Sequence, residues 1–293
     1  MITYDSKAWL KFIFLFSKSD TVRMLLPYLF AVALFTGAVA YFELEYFHLA
    51  ETSYIKNLEE MHGILTVVIS LLLVFRTNTA YDRWWEGRKM WGTLVNNSRS
   101  LAIKLNAMLA DEEQKLFFNK TIALYASALA HHLASNITKF ELDEKEHPEL
   151  QTLDKDKHVP NQVAFMLFQR MNALYEQGKI KGDQLIILNA EVQSFTDVCG
   201  ACERIRNTPI PLSYSSFLKK FIFTFVITLP FSFSFSLGYI AIPVVTFIFY
   251  VLASLEIIAE EIEEPFGFDS NDLPTFKIAD NIRKNVDEIF ENG

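Results

Sequence analysis

Residues 24–42, 61–75 and 221–255 are strongly apolar stretches that carry no charged residue. Met24–Phe42 gives 19 such residues, close to the ~20 that cross a hydrocarbon core as a helix. Met61–Phe75 gives 15, roughly 22 Å of helix, short for a ~30 Å core. Beyond it Thr77, Asn78, Thr79, Ala80 and Tyr81 contain no strong break, and Trp84 and Trp85 follow. One long helix is therefore predicted from about Gly63 to beyond Trp91, leaving the membrane near Tyr81–Trp85, where aromatic rings favour the interface. The shortness of its apolar part suits a path lined partly by water or protein. Phe221–Leu255 holds 35 uncharged residues, enough for two crossings joined at Ser236–Tyr239, which contains Gly238. Ser232, Ser234 and Ser236 alternate with Phe231, Phe233 and Phe235 as in a strand. A lone strand in a bilayer would leave its backbone unpaired, so a helix is predicted there.

Between these runs, Leu101–Leu109, Thr121–Leu133, Val163–Tyr175 and Leu185–Cys202 read as helices, and the charged, proline-bearing 141–160 as a solvated loop. The expected class is an all-α integral membrane protein with four transmembrane helices and a helical cytoplasmic region. Its expected division is a cytoplasmic N-terminal segment (1–23), transmembrane helices 1 and 2 (24–85), a cytoplasmic helical region (86–220), transmembrane helices 3 and 4 (221–258) and a cytoplasmic C-terminal segment (259–293). Basic residues set the orientation. Lys7, Lys11, Lys18 and Arg23 precede the first run; Arg76, Arg83, Arg88, Lys89 and Arg99 follow the second; Lys219 and Lys220 precede the third. The 43–60 segment holds five acids and one lysine. All basic clusters share one side if both termini are cytoplasmic. The N-terminus lacks the apolar core and cleavage site of a removable signal peptide.

Composition sharpens this picture. Apolar residues make up 51% of the 293, yet 21% are charged, too many for a chain wholly inside a membrane. A net charge of −8 argues against nucleic-acid binding. The two cysteines, Cys199 and Cys202, cannot frame a disulfide scaffold. As a lone CxxC they would need two further ligands for zinc, with His131–His132 the adjacent histidine pair; two buried thiols on a helix are the plainer expectation. No phosphate-binding glycine loop or nucleophile elbow occurs, so no enzyme is expected.

The densest motif is Phe75-Arg76-Thr77-Asn78-Thr79-Ala80-Tyr81-Asp82-Arg83-Trp84-Trp85-Glu86-Gly87-Arg88. Physically it is a membrane-exit helix, its basic groups at headgroup depth, its tryptophans anchoring, Asp82 and Glu86 pairing with neighbouring arginines. It resembles the hallmark stretch of bacterial bestrophin homologues, and Arg-Trp-Trp is shared with animal bestrophins. Glu203-Arg204-Ile205-Arg206-Asn207-Thr208-Pro209-Ile210-Pro211 resembles the segment before the third crossing, and Glu264-Pro265-Phe266-Gly267 the segment after the fourth.

The resemblance implies a funnel-shaped homopentamer around one ion pore, in a bacterial inner membrane, with self, lipids and small inorganic ions as partners. It places an apolar neck at Val67, Leu71 and Phe75, whose spacing puts them on one helical face with Ile64 a turn earlier. It also implies an apolar cytoplasmic aperture, which counting from the neck puts at Leu185 or Ile187. Asp269 and Asp272, with Glu261 and Glu264, match the positions of the calcium clasp of animal members, so a bound divalent cation, calcium here or zinc at the cysteines, is a weak expectation against a solvated acidic turn. No cofactor is otherwise expected. Five copies would carry about −40, a field that favours monovalent cations. An anion (chloride) channel of the same fold and a non-conducting membrane scaffold or sensor are the alternatives.

Overall fold

A computed structural model describes residues 21–46, 53–134, 153–154 and 157–291, and among them every regular element is helical. In chain order these are α1 (Thr21–Tyr41), a π turn (Phe42–Tyr46), α2 (Ser53–Met108), α3 (Glu112–Ala134), α4 (Val159–Glu176), α5 (Gly182–Asn207), α6 (Leu212–Thr228), α7 (Pro230–Leu237), a 3₁₀ turn (Gly238–Ile240), α8 (Ala241–Glu263) and α9 (Thr275–Glu291). Lys7, Lys11 and Lys18, and most of the expected 141–160 loop, lie outside the described residues.

The helices fall into two compact units. One comprises residues 2–83 and 210–263. Three stretches of the described chain are long and apolar enough to cross a membrane, Thr21–Tyr46, Asn57–Met108 and Leu212–Glu263. The last folds back on itself, because Gly238 adopts φ +57°, a left-handed conformation that glycine takes without steric cost. α8 then packs against α6 and α1. The core of this unit joins Ile69 and Leu73 of α2 to Leu218, Ile222, Phe225 and Val226 of α6 and to Val245 and Leu252 of α8. Polar ties fix the register. His62 Nε2 meets the Thr228 hydroxyl at 2.9 Å, and Tyr214 donates to the Leu72 carbonyl at 3.1 Å, so α2 and α6 run antiparallel. The Thr21 and Ser254 hydroxyls, 2.8 Å apart, do the same for α1 and α8.

The other unit holds 84–209 and 264–293. α3 packs against α4 and α9, and α4 against α5. Ala279, Ile282 and Val286 form the buried stripe of α9 at spacings of three and four. The core gathers Trp91, Leu94, Leu101, Phe118, Tyr125 and Phe195.

Several boundaries differ from expectation, α3 for one starting at Glu112 ahead of Thr121, and two of the differences have a clear local cause. α2 begins at Ser53 and not near Gly63, so the acidic segment before the second run is partly helical. Glu59 and Glu60 precede Met61 without a breaker, and charge alone does not end a helix. α4 starts at Val159, two residues inside the expected loop, because Pro160 in a first turn loses no hydrogen bond that the helix would have made.

Candidate functional site

The part of α2 that belongs to the first unit, up to Arg83, has two unlike faces. Ile69, Leu73, Arg76 and Ala80 are buried against the unit. Ile64, Val67, Leu71 and Phe75 are exposed by 69, 61, 53 and 62%. A single subunit thus leaves an apolar stripe of about three turns uncovered. Val68 and Val74 flank it and are also exposed. Continuing the same face, Asn78 and Asp82 are exposed and polar.

The buried face is pinned by charge. Arg76 is 1% exposed. Its Nη2 lies 2.6 Å from Glu263 Oε2, and its Nε 3.6 Å from Glu256 Oε2. Glu263 Oε1 accepts the Ile210 amide at 2.6 Å, and its carbonyl accepts Arg83 Nε at 3.1 Å. One carboxylate therefore ties α2, the Pro209-Ile210-Pro211 corner and the end of α8. Phe75, on the exposed stripe, is the immediate neighbour of this anchor.

This corrects the pairing expected within the motif. Arg76 is buried among acids of a distant helix, and its partners are not Asp82 or Glu86. Glu86 pairs with Arg204 at 2.8 Å within the second unit. The Trp84 ring is not free either. Its indole donates to the Asn271 carbonyl at 3.0 Å and packs on the second unit's core. Gly87 admits the Glu264–Gly267 turn, since a Cβ there would meet Phe266 Cζ at 3.0 Å and Leu273 Cδ1 at 3.2 Å. Helical spacing could show that these residues share a surface; it could not show which distant segment covers it.

The remaining expected residues fall as follows. Leu185 packs against the core of its unit, whereas Ile187 is 45% exposed. Among the acids, Glu264 and Asp269 are exposed, Glu261 is half-buried and Asp272 is buried. The Asp272 carboxylate accepts the Asp269 amide at 2.7 Å, and Gly267 approaches the same carboxylate closely enough that a Cβ would lie 2.7 Å from it.

Cys199 and Cys202 are both buried in the core of the second unit. Burial, reinforced by the negative charge of Glu203, pushes the Cys199 thiol up to about 12. Burial raises Cys202 as well. The structure does not join these thiols to the histidine pair. His131 sets its ring edge-on to Phe276, and His132 turns to Glu203 at 2.7 Å. Thiolate is the reactive form, so neither cysteine should alkylate in the folded protein at neutral pH. Mass spectrometry after maleimide treatment should show no adduct until denaturant is added; rapid native labelling of either would contradict this packing.

The family model described as Bacterial/Fungal Bestrophin protein matches residues 1–288. A voltage-dependent anion channel-forming protein of Nostoc sp. is 36% identical over 235 residues, covering 77% of this chain and 76% of that protein. The voltage-dependent anion channel-forming protein YneE of Escherichia coli K12 is 32% identical over 291 residues, covering 96% and 91%. The crystal structure of a mutated bacterial bestrophin homolog from Klebsiella pneumoniae superposes with a TM-score of 0.77 at 25% identity, covering 90% of this chain and 97% of that one.

Proposed function

The chain belongs to the bacterial and fungal bestrophin family, and from that premise we propose that it forms a homopentameric ion channel with Ile64, Val67, Leu71 and Phe75 lining the neck of a central pore. The observation that carries this reading is the uncovered apolar face of α2, opposite a face locked by a buried ion pair. A ring of subunits gives that face something to line, and closed rings repeat one head-to-tail interface. In this reading the unit of 2–83 and 210–263 sits in a bacterial inner membrane with four crossings, and the other unit and both termini are cytoplasmic. Ile187, more exposed than Leu185, is then the better aperture residue. The protein acts as a channel and not as an enzyme.

The sign of the permeant ion follows the relatives. The names of the Nostoc and Escherichia coli proteins speak for anions, against the cation-leaning expectation drawn from total charge. Total charge is not pore charge, and the four neck side chains carry none. Small monovalent anions such as chloride are accordingly the proposed class. A cation pathway is the second reading, favoured by exposed Asp82 two turns beyond Phe75 on the same face.

Two measurements test this. Mass in detergent should correspond to five copies of a 33.8 kDa chain; a stable monomer or dimer would count heavily against a pore. In a sodium chloride gradient, purified protein in a bilayer should reverse near the chloride equilibrium potential. Reversal near the sodium potential would overturn the sign and leave the channel standing, whereas a silent, correctly assembled protein would favour the scaffold.

A further inference from the structure

We infer that His132, His158 and Glu203 form a binding site for one divalent transition-metal ion, with zinc as the occupant their chemistry suits best. The three come from different helices of one unit. His132 lies in the last turn of α3, His158 is the N-cap of α4, and Glu203 lies near the end of α5. Both imidazole Nε2 atoms meet the same carboxylate oxygen, Glu203 Oε1, at 2.7 and 2.6 Å. The two rings are 4.4 Å apart, and the three ligand atoms all lie within 4.8 Å of one another.

A tetrahedral zinc with bonds of about 2.0–2.1 Å separates its ligand atoms by about 3.3 Å. The histidine nitrogens therefore need to move away from the carboxylate oxygen by less than about 1 Å and, being at most 4.8 Å apart, towards each other by no more than about 1.5 Å, within reach of side-chain rotation. Two imidazoles and a carboxylate leave a fourth position to water. The side chains are 19, 32 and 30% exposed, so an ion reaches them from solvent. Imidazole ligands select zinc-like ions over calcium or magnesium, which take oxygen. The carboxylate is available in its charged form. Burial pushes Glu203 up, but hydrogen bonds from His158 and His132 outweigh it and hold it below its ordinary range. Burial holds His132 towards its neutral, metal-binding form. Arg206 is the opposing charge; its guanidinium is engaged on the His132 carbonyl at 2.7 Å.

Occupancy has a structural signature. The His158 Nδ1 accepts the Asn161 amide at 3.1 Å, capping α4. An ion on Nε2 leaves the ring proton on Nδ1, which then faces that amide and displaces the cap. Metal binding thus exchanges a helix cap for a coordinate bond, and the Asn161 amide reports it.

The full-length protein in detergent, stripped with chelator, is titrated with zinc chloride by calorimetry and with cobalt(II) by visible absorption. One ion per chain is expected, with the intense cobalt bands of a tetrahedral N/O site. His132→Gln and Glu203→Gln should each weaken zinc at least about tenfold. His131→Gln, whose ring lies on Phe276, should leave binding unchanged. Zinc should also speed hydrogen exchange at Asn161 in the unmutated protein, a readout that survives if a variant fails to fold. Absence of saturable binding, unchanged affinity in a folded His132→Gln/His158→Gln double variant, or zinc that binds without altering Asn161 exchange would each overturn the site.

Discussion

Replacing Val67, Leu71 and Phe75 together with alanine is expected to raise single-channel current and to lower discrimination between ions. Apolar rings obstruct a pore by excluding water, and shorter side chains widen the ring and ease wetting. All three are exposed on one face of α2, so their truncation removes no contact from the core of the subunit. The substitution should therefore change conduction far more than stability, and a melting temperature close to that of the parent protein is part of the expected result. A well-folded, pentameric triple variant with unchanged conductance would mean that another face lines the path. Phe75→Ala alone should give the largest single effect, because it deletes the bulkiest side chain of the stripe.

The opposite face gives the second large effect. Arg76→Ala removes the buried cation that meets both Glu256 and Glu263. Two buried carboxylates then remain without the guanidinium that contacts them both. Breaking a buried pair in this way costs about 3–5 kcal/mol. The expected outcome is loss of assembled protein from detergent extracts, or a melting temperature many degrees lower. Neutralising the carboxylates as well should recover much of the loss, since uncharged groups of similar size avoid the desolvation of a lone charge. A single Arg76→Ala variant that assembles and melts like the parent would show that the clamp contributes nothing.

How much of this was legible in the sequence differs by element. The uncharged runs locate the membrane-compatible helices because a bilayer punishes any exposed charge, so composition alone leaves a trace. Gly238 marks the reversal because few residues other than glycine adopt its backbone conformation. The partners of Arg76 left no trace. Glu256 and Glu263 are far along the chain, while Asp82 and Glu86 stand at helical spacing from the motif's arginines and so present themselves first. The same limit hid the meeting of His132, His158 and Glu203. His158 looked like part of a charged loop, and its one local signal was Pro160, which suits the first turn of a helix. The proposed neck face is legible only with the resemblance, because α2 is apolar all round in that region and periodicity cannot choose a side.

The Arg76 clamp also has a consequence for how the protein is made. Its arginine immediately follows the second hydrophobic run, and its two carboxylates lie just beyond the end of the last. A ribosome adding roughly 5–20 residues per second needs on the order of 10–40 s to travel from Arg76 to Glu263. Throughout that interval the guanidinium lacks both of its carboxylate partners in the folded subunit. If the clamp is needed to bury Arg76, the arginine should stay open to water or lipid phosphate during synthesis until α8 is made. Nascent chains arrested before Glu256 should leave Arg76 accessible to a water-soluble probe of an introduced cysteine nearby, and release of the complete chain should close that access.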